Sequence, residues 1–454
     1  MNEKKYREWI KPGIYNGLQR ASIPVFGVLS TMLLAHKALS KSEMGVWALF
    51  LVVTSFIDLF RSGIVRTSLI KYINFSESDE HRSVLSAAFF LNAIVSIIVI
   101  IFLFFGSGLI ADLLKAPALK SMLHIFMFTL FILIPFSHFE WLMYGKSLFK
   151  GLFFTYILRQ GSTLLSMLLV FLHYGHISLD TLVILYSGGI LIGTLMGFLV
   201  VKPLLSLTIK LTKHWVMQLW NFGRFVFGSN IGTLIFRNAD QFMLSAITAN
   251  TALVASQNIA IRIMNIADIP SQVIADILFP KSSDPALLKN PSRIKYFYEK
   301  AVGASLSFIL PFVCGILIFP KAILFVLAGD KYYDAIPYLQ LIAVTGIFLS
   351  FLKQWGVIID STGRPHVNFM MLAFMAILEI GMCYYFISHF HLIGAAIALI
   401  ITHLCGFIAT QFLLNKYFKI NFLNSFKYAF EFYKEIFGGM SKKMVSTVNR
   451  VNGK

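Results

Sequence analysis

The sequence predicts an all-α integral membrane protein with twelve transmembrane helices in two six-helix lobes and both termini in the cytoplasm. Three observations carry that prediction. Of 454 residues 57% are hydrophobic and only 13% are charged, well below the roughly 25% charged residues of soluble domains. The excess Phe, Leu and Ile fall in runs of 20 or more residues, enough to cross a hydrocarbon core of about 30 Å. Lys and Arg are divided unequally between alternate connecting segments. A β-barrel would instead alternate polar and apolar residues in segments of about ten.

The apolar runs lie at approximately 13–36, 45–65, 84–106, 121–144, 148–172, 179–201, 222–247, 252–279, 301–320, 336–359, 366–389 and 393–415. Only Gly-Lys-Ser (145–147) joins the fourth to the fifth, and Thr-Ala-Asn-Thr (248–251) the seventh to the eighth, so both pairs read as tight helical hairpins. With the N-terminus in the cytoplasm, the exterior loops hold six basic residues, Lys37, Lys41, Lys115, Lys120, Lys321 and Lys331, out of 39 in the chain. That asymmetry supports an even number of spans. It also accounts for the net charge of +18 without a nucleic-acid partner, because the basic residues sit in short loops and tails. Cys314, Cys383 and Cys405 all lie in apolar runs and read as small core residues, with no disulfide or metal framework. The basic opening MNEKKYREWIKPG lacks a small-residue cleavage site and leads into too long a run for a signal peptide.

The chain repeats itself once. Residues 122–194 lie on 338–410, pairing Trp141 with Trp355 and HYGHIS (173–178) with HFHLIG (389–394), and SFIDLF (55–60) resembles NIADIP (265–270). The expected organisation is a cytoplasmic tail (1–12), an N-lobe (13–201), a basic cytoplasmic linker (202–221), a C-lobe (222–415) and a basic amphipathic cytoplasmic tail (416–454). Parallel halves with a site between them are a recurring transporter plan. The exterior loops are at most about 16 residues long and leave no room for a catalytic domain. Segment 280–300 reads as interfacial, and the tail, which interleaves Phe, Tyr and Lys, as a helix on the anionic inner leaflet.

The polar residues inside the spans carry the functional signal. An arginine at the bilayer centre costs about 2.5–3.5 kcal/mol on insertion scales, so each needs a polar partner, water, or a short reach to the interface. Arg224 and Lys353 lie near cytoplasmic ends and read as snorkelling; Arg20 is two turns in; Arg159, Arg237 and Arg262 are deep. In the eighth span Asn258, Arg262, Asn265, Ile269, Gln272 and Asp276 share one helical face. Thr155, Arg159, Ser162 and Ser166 form a stripe in the fifth, and Asn230, Arg237 and Gln241 in the seventh. Asp240 stands three residues from Arg237, so the two would also neutralise each other. Asp58, Glu140, Asp240, Asp268, Asp276 and Glu379 lie within or near spans, and of these Asp58, Asp240, Asp268 and Glu379 are candidates for ion coupling or for counter-ions, with Asp58 three residues from Arg61. A cationic cavity favours an anionic cargo, and the arginine fork suits phosphate. Trp47, Trp141 and Trp355 read either as stacking surfaces for sugars or as interface anchors.

These residues resemble the Wzx-type O-antigen flippases, the polysaccharide transport branch of the multidrug/oligosaccharidyl-lipid/polysaccharide exporter superfamily. GLQRASIPVFGVLSTMLLAHKALSKSEMGVWALF (17–50) is similar to that family's opening span with its LS-x-x-E-x-G turn, FRNADQFMLSAI (236–247) to its seventh span, and GDKYYDAIPYLQLIA (329–343) to its loop into the tenth. The resemblance implies a MATE-like, two-lobed flippase that moves undecaprenyl-pyrophosphate-linked glycans from the inner to the outer leaflet of a bacterial cytoplasmic membrane by alternating access, for O-antigen, capsule or exopolysaccharide synthesis. In related lipid II flippases arginines of the first and eighth helices line the cavity; Arg20 and Arg262 occupy comparable helices, and Arg61 and Arg66 sit near the cytoplasmic end of the second.

The expected substrate-binding residues are therefore Arg20, Arg159, Arg237, Arg262, Asn258 and Asn265. No cofactor or metal is expected, only H+ or Na+ as a coupling ion. The expected partners are the lipid-linked oligosaccharide, membrane lipids, and polymerase or chain-length machinery. A cation-coupled multidrug exporter is the first alternative, but deep arginines repel cationic cargo. A membrane glycosyltransferase or polymerase is a weaker one, given the short exterior loops, so the protein is not expected to be an enzyme.

Overall fold

The computed structural model describes the backbone over 3–73, 78–205, 210–282 and 291–434. Among the described residues every regular element is helical. The helices are α1 (Glu3–Leu33), α2 (Lys41–Ser62), α3 (Val65–Tyr72), α4 (Ser78–Leu113), α5 (Ala118–Gly145), α6 (Phe149–Tyr174), α7 (Leu179–Val201), α8 (Lys213–Thr248), α9 (Thr251–Ser282), α10 (Pro291–Ile318), α11 (Pro320–Ala328), α12 (Ile336–Ser361) and α13 (Pro365–Phe418). A further helix, α14, covers 422–434.

Nine helices among the described residues are long and apolar enough to cross a membrane. One of them, α13, is 54 residues long and is broken at His391 (φ 49°, ψ −121°), so it comprises two helices. The break falls where the sequence places the gap between its last two spans. Helices α8 and α9 are 36 and 32 residues long, or about 54 and 48 Å at 1.5 Å per residue, yet fall outside the nine. They carry the Arg, Asn, Asp and Gln stripes.

Local chemistry explains several boundaries. The LS-x-x-E-x-G turn is a capping box: Ser40 Oγ accepts from Glu43 N at 3.3 Å, and Ser40 N donates to Glu43 Oε2 at 2.8 Å. Gly45 follows because a Cβ there would overlap the backbone carbonyl of Thr251, at the start of α9. Ser178 caps α7. Gly175, in the left-handed conformation at φ 71°, ends α6.

The chain divides into two compact units. The N-terminal unit contains Met1–Asn258 with Val326–Lys331, and the C-terminal unit Ile259–Phe325 with Tyr332–Lys454. In the first, α5 packs on α4 and α7, and α6 on α1 and α7. Trp141 is buried there with Leu69, Val84, Leu142 and Leu152. In the second, α12 packs on α10 and α13, and Trp355 is buried with Tyr298, Val302, Phe351 and Leu414. Trp47, Trp141 and Trp355 are 4%, 1% and 2% exposed. For Trp47 and Trp355 both expectations, sugar stacking and interface anchoring, are corrected to core packing; Trp141 packs in the core as well and also borders the polar cavity of the N-terminal unit. The chain's exposed Phe102, Phe105, Leu199, Ile377 and Phe412 supply the lipid-facing surface instead.

The tail that the sequence marks as a leaflet helix is docked over 422–434 on the C-terminal unit's own body. Glu299, buried in α10, accepts from Asn421 N at 2.9 Å and from Asn424 Nδ2 at 3.1 Å. Tyr433 donates to the Ser307 carbonyl, and Ala429 is buried. The rest of the tail, 435–454, lies outside the described residues, as do 283–290 of the interfacial segment. Replacing Glu299 by Ala removes the acceptor of both bonds. Amide exchange across 422–434 is expected to rise about tenfold or more, in line with roughly 1.5–3 kcal/mol for a charged hydrogen bond, while α12 exchanges as before. Hydrogen–deuterium exchange mass spectrometry reads both.

Candidate functional site

The N-terminal unit encloses a polar cavity of about 340 Å³ lined from α2, α3, α5, α6 and α7. Its floor is set by Arg61, whose side chain is 1% exposed. Nη2 of Arg61 donates to Asp58 Oδ1 at 2.7 Å and Ser137 Oγ at 2.6 Å; Nη1 donates to Asn92 Oδ1 and the Leu133 carbonyl, both at 3.1 Å. Asn92 in turn donates to the Ile134 carbonyl at 2.9 Å. These carbonyls lie two residues and one residue before Pro135, which has no N–H to donate to the Phe131 carbonyl and so removes one rung of the α5 ladder in this turn. One guanidinium thus ties α2, α4 and α5 together.

Above it lie two further arginines and one carboxylate. Glu140 is buried; its Oε1 accepts from the Tyr156 hydroxyl at 2.8 Å and sits 3.8 Å from Arg66 Nη2. Arg66 is half-exposed and lies over the Tyr144 ring at 5.2 Å. Burial disfavours the Arg66 charge, but Glu140, Tyr156, Tyr144 and Asp58 outweigh it and raise its pKa above the ordinary value. Arg159 stacks on Phe136 at 4.8 Å and donates to the Tyr186 hydroxyl at 3.3 Å. Gly193 of α7 permits this approach, since a Cβ there would lie 2.9 Å from Arg159 Cβ. A guanidinium has five N–H donors, and this single bond leaves most of those on Arg159 available to a ligand. Three arginines face two carboxylates, Asp58 and Glu140, so the lining is net cationic.

A family model described as polysaccharide biosynthesis protein matches residues 35–337. The chain belongs to that family. An uncharacterized membrane protein of Methanocaldococcus jannaschii is 27% identical over 232 residues, 50% of this chain and 46% of that protein, so the match spans about half of that relative. The lipid II flippase MurJ in an inward closed conformation superposes with a TM-score of 0.77 at 14% identity, covering 92% of this chain and 90% of MurJ. An inward-facing multidrug resistance MATE family transporter of the MOP superfamily superposes at 0.74 and 14% identity, covering 88% and 98%. These likenesses show that the chain shares its fold with MurJ and with that MATE family transporter.

Of the predicted site residues, the cavity of this family member gathers Arg159 and Asp58. Arg20 is exposed on α1, within electrostatic range of Tyr144. Arg237 is exposed on α8, and no ion pair joins it to Asp240 among the described residues. Asp240 is buried instead against α9, accepting from Gln257 Nε2 at 2.9 Å and Gln241 N at 2.8 Å. Along α9, Asn258 and Arg262 are half-buried and Asn265 is exposed. The side chains of Asn230 and Asp276 lie outside the described residues. Asp268 pairs with Lys353 and accepts from Gln272 Nε2 at 3.0 Å, which corrects the snorkelling expectation for Lys353. Glu379 is buried and accepts from Cys383 Sγ at 3.5 Å.

The sequence marks Glu140 only as one of several carboxylates within or near spans, and it does not mark Arg61, Arg66 or Tyr156 as site residues. Arg61 reads as loop-proximal because it sits in the last turn of α2, and Arg66 because α3 is a short separate helix that folds back onto α5. The helical spacing of Ser137, Glu140 and Trp141 on α5 was the available signal. Arg61→Leu is expected to lower stability by roughly 3 kcal/mol or more, because Asn92, Ser137 and the Leu133 carbonyl lose a charged partner in a buried setting. Arg61→Lys, which keeps the charge without the fork, falls between. Thermal melts in nanodiscs measure both.

Proposed function

We propose that the protein carries polyprenyl-pyrophosphate-linked oligosaccharides from the inner to the outer leaflet of the cytoplasmic membrane by alternating access. Family membership and the MOP-superfamily fold support this reading. The observation that carries it is the position of Arg66 and Arg159 in the cavity, where among the described residues their donors meet only the Tyr186 hydroxyl and the loose Glu140 pair. Such forks suit the paired oxygens of a pyrophosphate. In this reading the chain has twelve spans, counting α8, α9 and both halves of α13, with cytoplasmic termini. Arg20, Arg237, Arg262, Asn258 and Asn265 supply further contacts to the glycan or phosphates. Asp58, Asp240, Asp268 and Glu379 act as counter-ions or coupling sites for H+ or Na+. Polymerase and chain-length proteins receive the product on the outer side.

Complementation of a flippase-deficient strain supplied with the matching sugar pathway tests this reading. Wild type is expected to restore surface polysaccharide. Arg66→Gln and Arg159→Gln, at matched membrane levels, are expected to lower it about tenfold or more each, the loss of one charged hydrogen bond, with lipid-linked cargo left on the inner leaflet. Full activity in both variants would remove the arginine grip. Export of an organic cation by wild type, with no restored polysaccharide, would establish the multidrug reading instead.

A further inference from the structure

We propose that Glu140 is a resident counter-ion that holds Arg66 when no cargo is bound, and that its protonation releases Arg66 to grip, together with Arg159, an entering tetrahedral dianion. This rests on the oligosaccharide-carrier reading, and it names the group gripped and the event that admits it.

The geometry separates Glu140 from the other charges around it. Asp58 and Arg61, from α2, are bound to each other at 2.7 Å, and Arg61 is further held by Ser137, Asn92 and the Leu133 carbonyl. Arg61 is therefore locked in place, and Asp58, though its side chain is 58% exposed, is held to it through Oδ1. Arg66, from α3, faces Glu140 at 3.8 Å, an ion-pair distance beyond hydrogen-bond length. Arg159 and Tyr156, from α6, and Tyr186, from α7, complete the ring, with Tyr144 one turn along α5. His138, also on α5, packs edge-on against Phe89 and is not part of the cavity lining. Glu140 is therefore the one carboxylate of the lining held by a tyrosine hydroxyl and a loose ion pair.

Charge balance favours the same conclusion. With Glu140 ionised, the lining carries three positive and two negative charges. An anion entering then meets a carboxylate directly beside the guanidinium it needs. Once Glu140 takes up a proton, three arginines face Asp58 alone, and the remaining two positive charges match a dianion. The neutral carboxyl still accepts from Tyr156 but no longer attracts Arg66. The internal repeat offers a natural comparison: Gln354 stands before Trp355 where Glu140 stands before Trp141. Gln354 is buried and permanently neutral, and its Nε2 donates to the Ser271 carbonyl and Ser305 Oγ, both at 3.3 Å. The ionisable version occurs where the arginines are.

The test is direct binding of sulfate, whose charge is constant over the range used, to the purified full chain by calorimetry. Wild type is expected to bind about tenfold tighter near pH 5.5 than near pH 8, because one like charge is removed beside the ligand. Glu140→Gln, nearly the same shape, is expected to bind tightly at both, and Arg159→Gln weakly at both. A Glu140→Gln protein that keeps the wild-type pH slope, or binds no tighter than wild type near pH 8, overturns the proposal. Competition distinguishes the source of the dianion. Displacement of sulfate by polyprenyl pyrophosphate in nanodiscs, at lower concentration than inorganic pyrophosphate, supports the lipid-linked cargo. Displacement by inorganic pyrophosphate alone overturns that cargo while the Glu140 gate stands. Absence of binding in all variants overturns the gate, and the complementation result is then read independently.

Discussion

The buried guanidinium of Arg61 is the constraint on which the N-terminal unit depends. A cation in that position is stable only while it is well partnered, and four acceptors from α2, α4 and α5 take up its two terminal nitrogens, leaving Nε without an acceptor among the described residues. Two of them lie on α5 on either side of Pro135: the Leu133 carbonyl two residues before it and Ser137 two residues after it. The consequence is positional. Glu140 lies three residues beyond Ser137, one turn along the same face, and so cannot pair with Arg61, which Asp58 already satisfies. It is left to Tyr156 and Arg66, in the open part of the cavity. A structural ion pair therefore creates the setting for a labile one.

The two halves of the repeat show which charges serve packing. Asp58 in the N-terminal unit and Asp268 in the C-terminal unit occupy matching positions, and each is bound by a cation of its own unit, Arg61 and Lys353 respectively. The cation comes from the same helix in one case and from α12 in the other, so the pairing persists although its geometry differs. Position 140 and its counterpart 354 diverge, one a carboxylate and the other an amide. The arginines accompany the carboxylate. What the halves share reads as architecture, and what they do not share reads as chemistry.

Much of the fold was legible because span length and hydropathy are set by the bilayer, which acts on every helix alike. The hairpin joints at 145–148 and 249–250, the capping box at Ser40 and the break at His391 all carry local signals. The site was less legible, for a physical reason. Depth along the sequence is not depth in the protein: Arg66 lies outside the apolar runs, yet α3 folds back and delivers it to α5 and α6. The same limit applies to Asp240, three residues from an arginine but bonded to a glutamine seventeen residues away across a hairpin. Helical periodicity reports which residues share a face, not which neighbour that face meets. Trp47, Trp141 and Trp355 illustrate the converse: span-end tryptophans suggested an interface, whereas packing against other helices took all three inside.

The choice between an anionic and a cationic cargo turns on the rings as well as on the charges. Organic cations are held by aromatic faces and carboxylates. In this cavity Arg159 lies over Phe136 at 4.8 Å and within 5.9 Å of the Tyr156 and Tyr186 centroids, and Arg66 lies over Tyr144. These ring faces are already occupied by guanidinium groups, and the lining carboxylates are held by Arg61 and by Arg66 with Tyr156. A cationic drug would have to displace resident cations from both kinds of partner. A phosphate needs no such displacement at Arg159, because stacking fixes the guanidinium plane and leaves its edge donors available. Phe136, Tyr144, Tyr156 and Tyr186 thus act as holders of the arginines rather than as a surface for cargo, and that arrangement favours an anion.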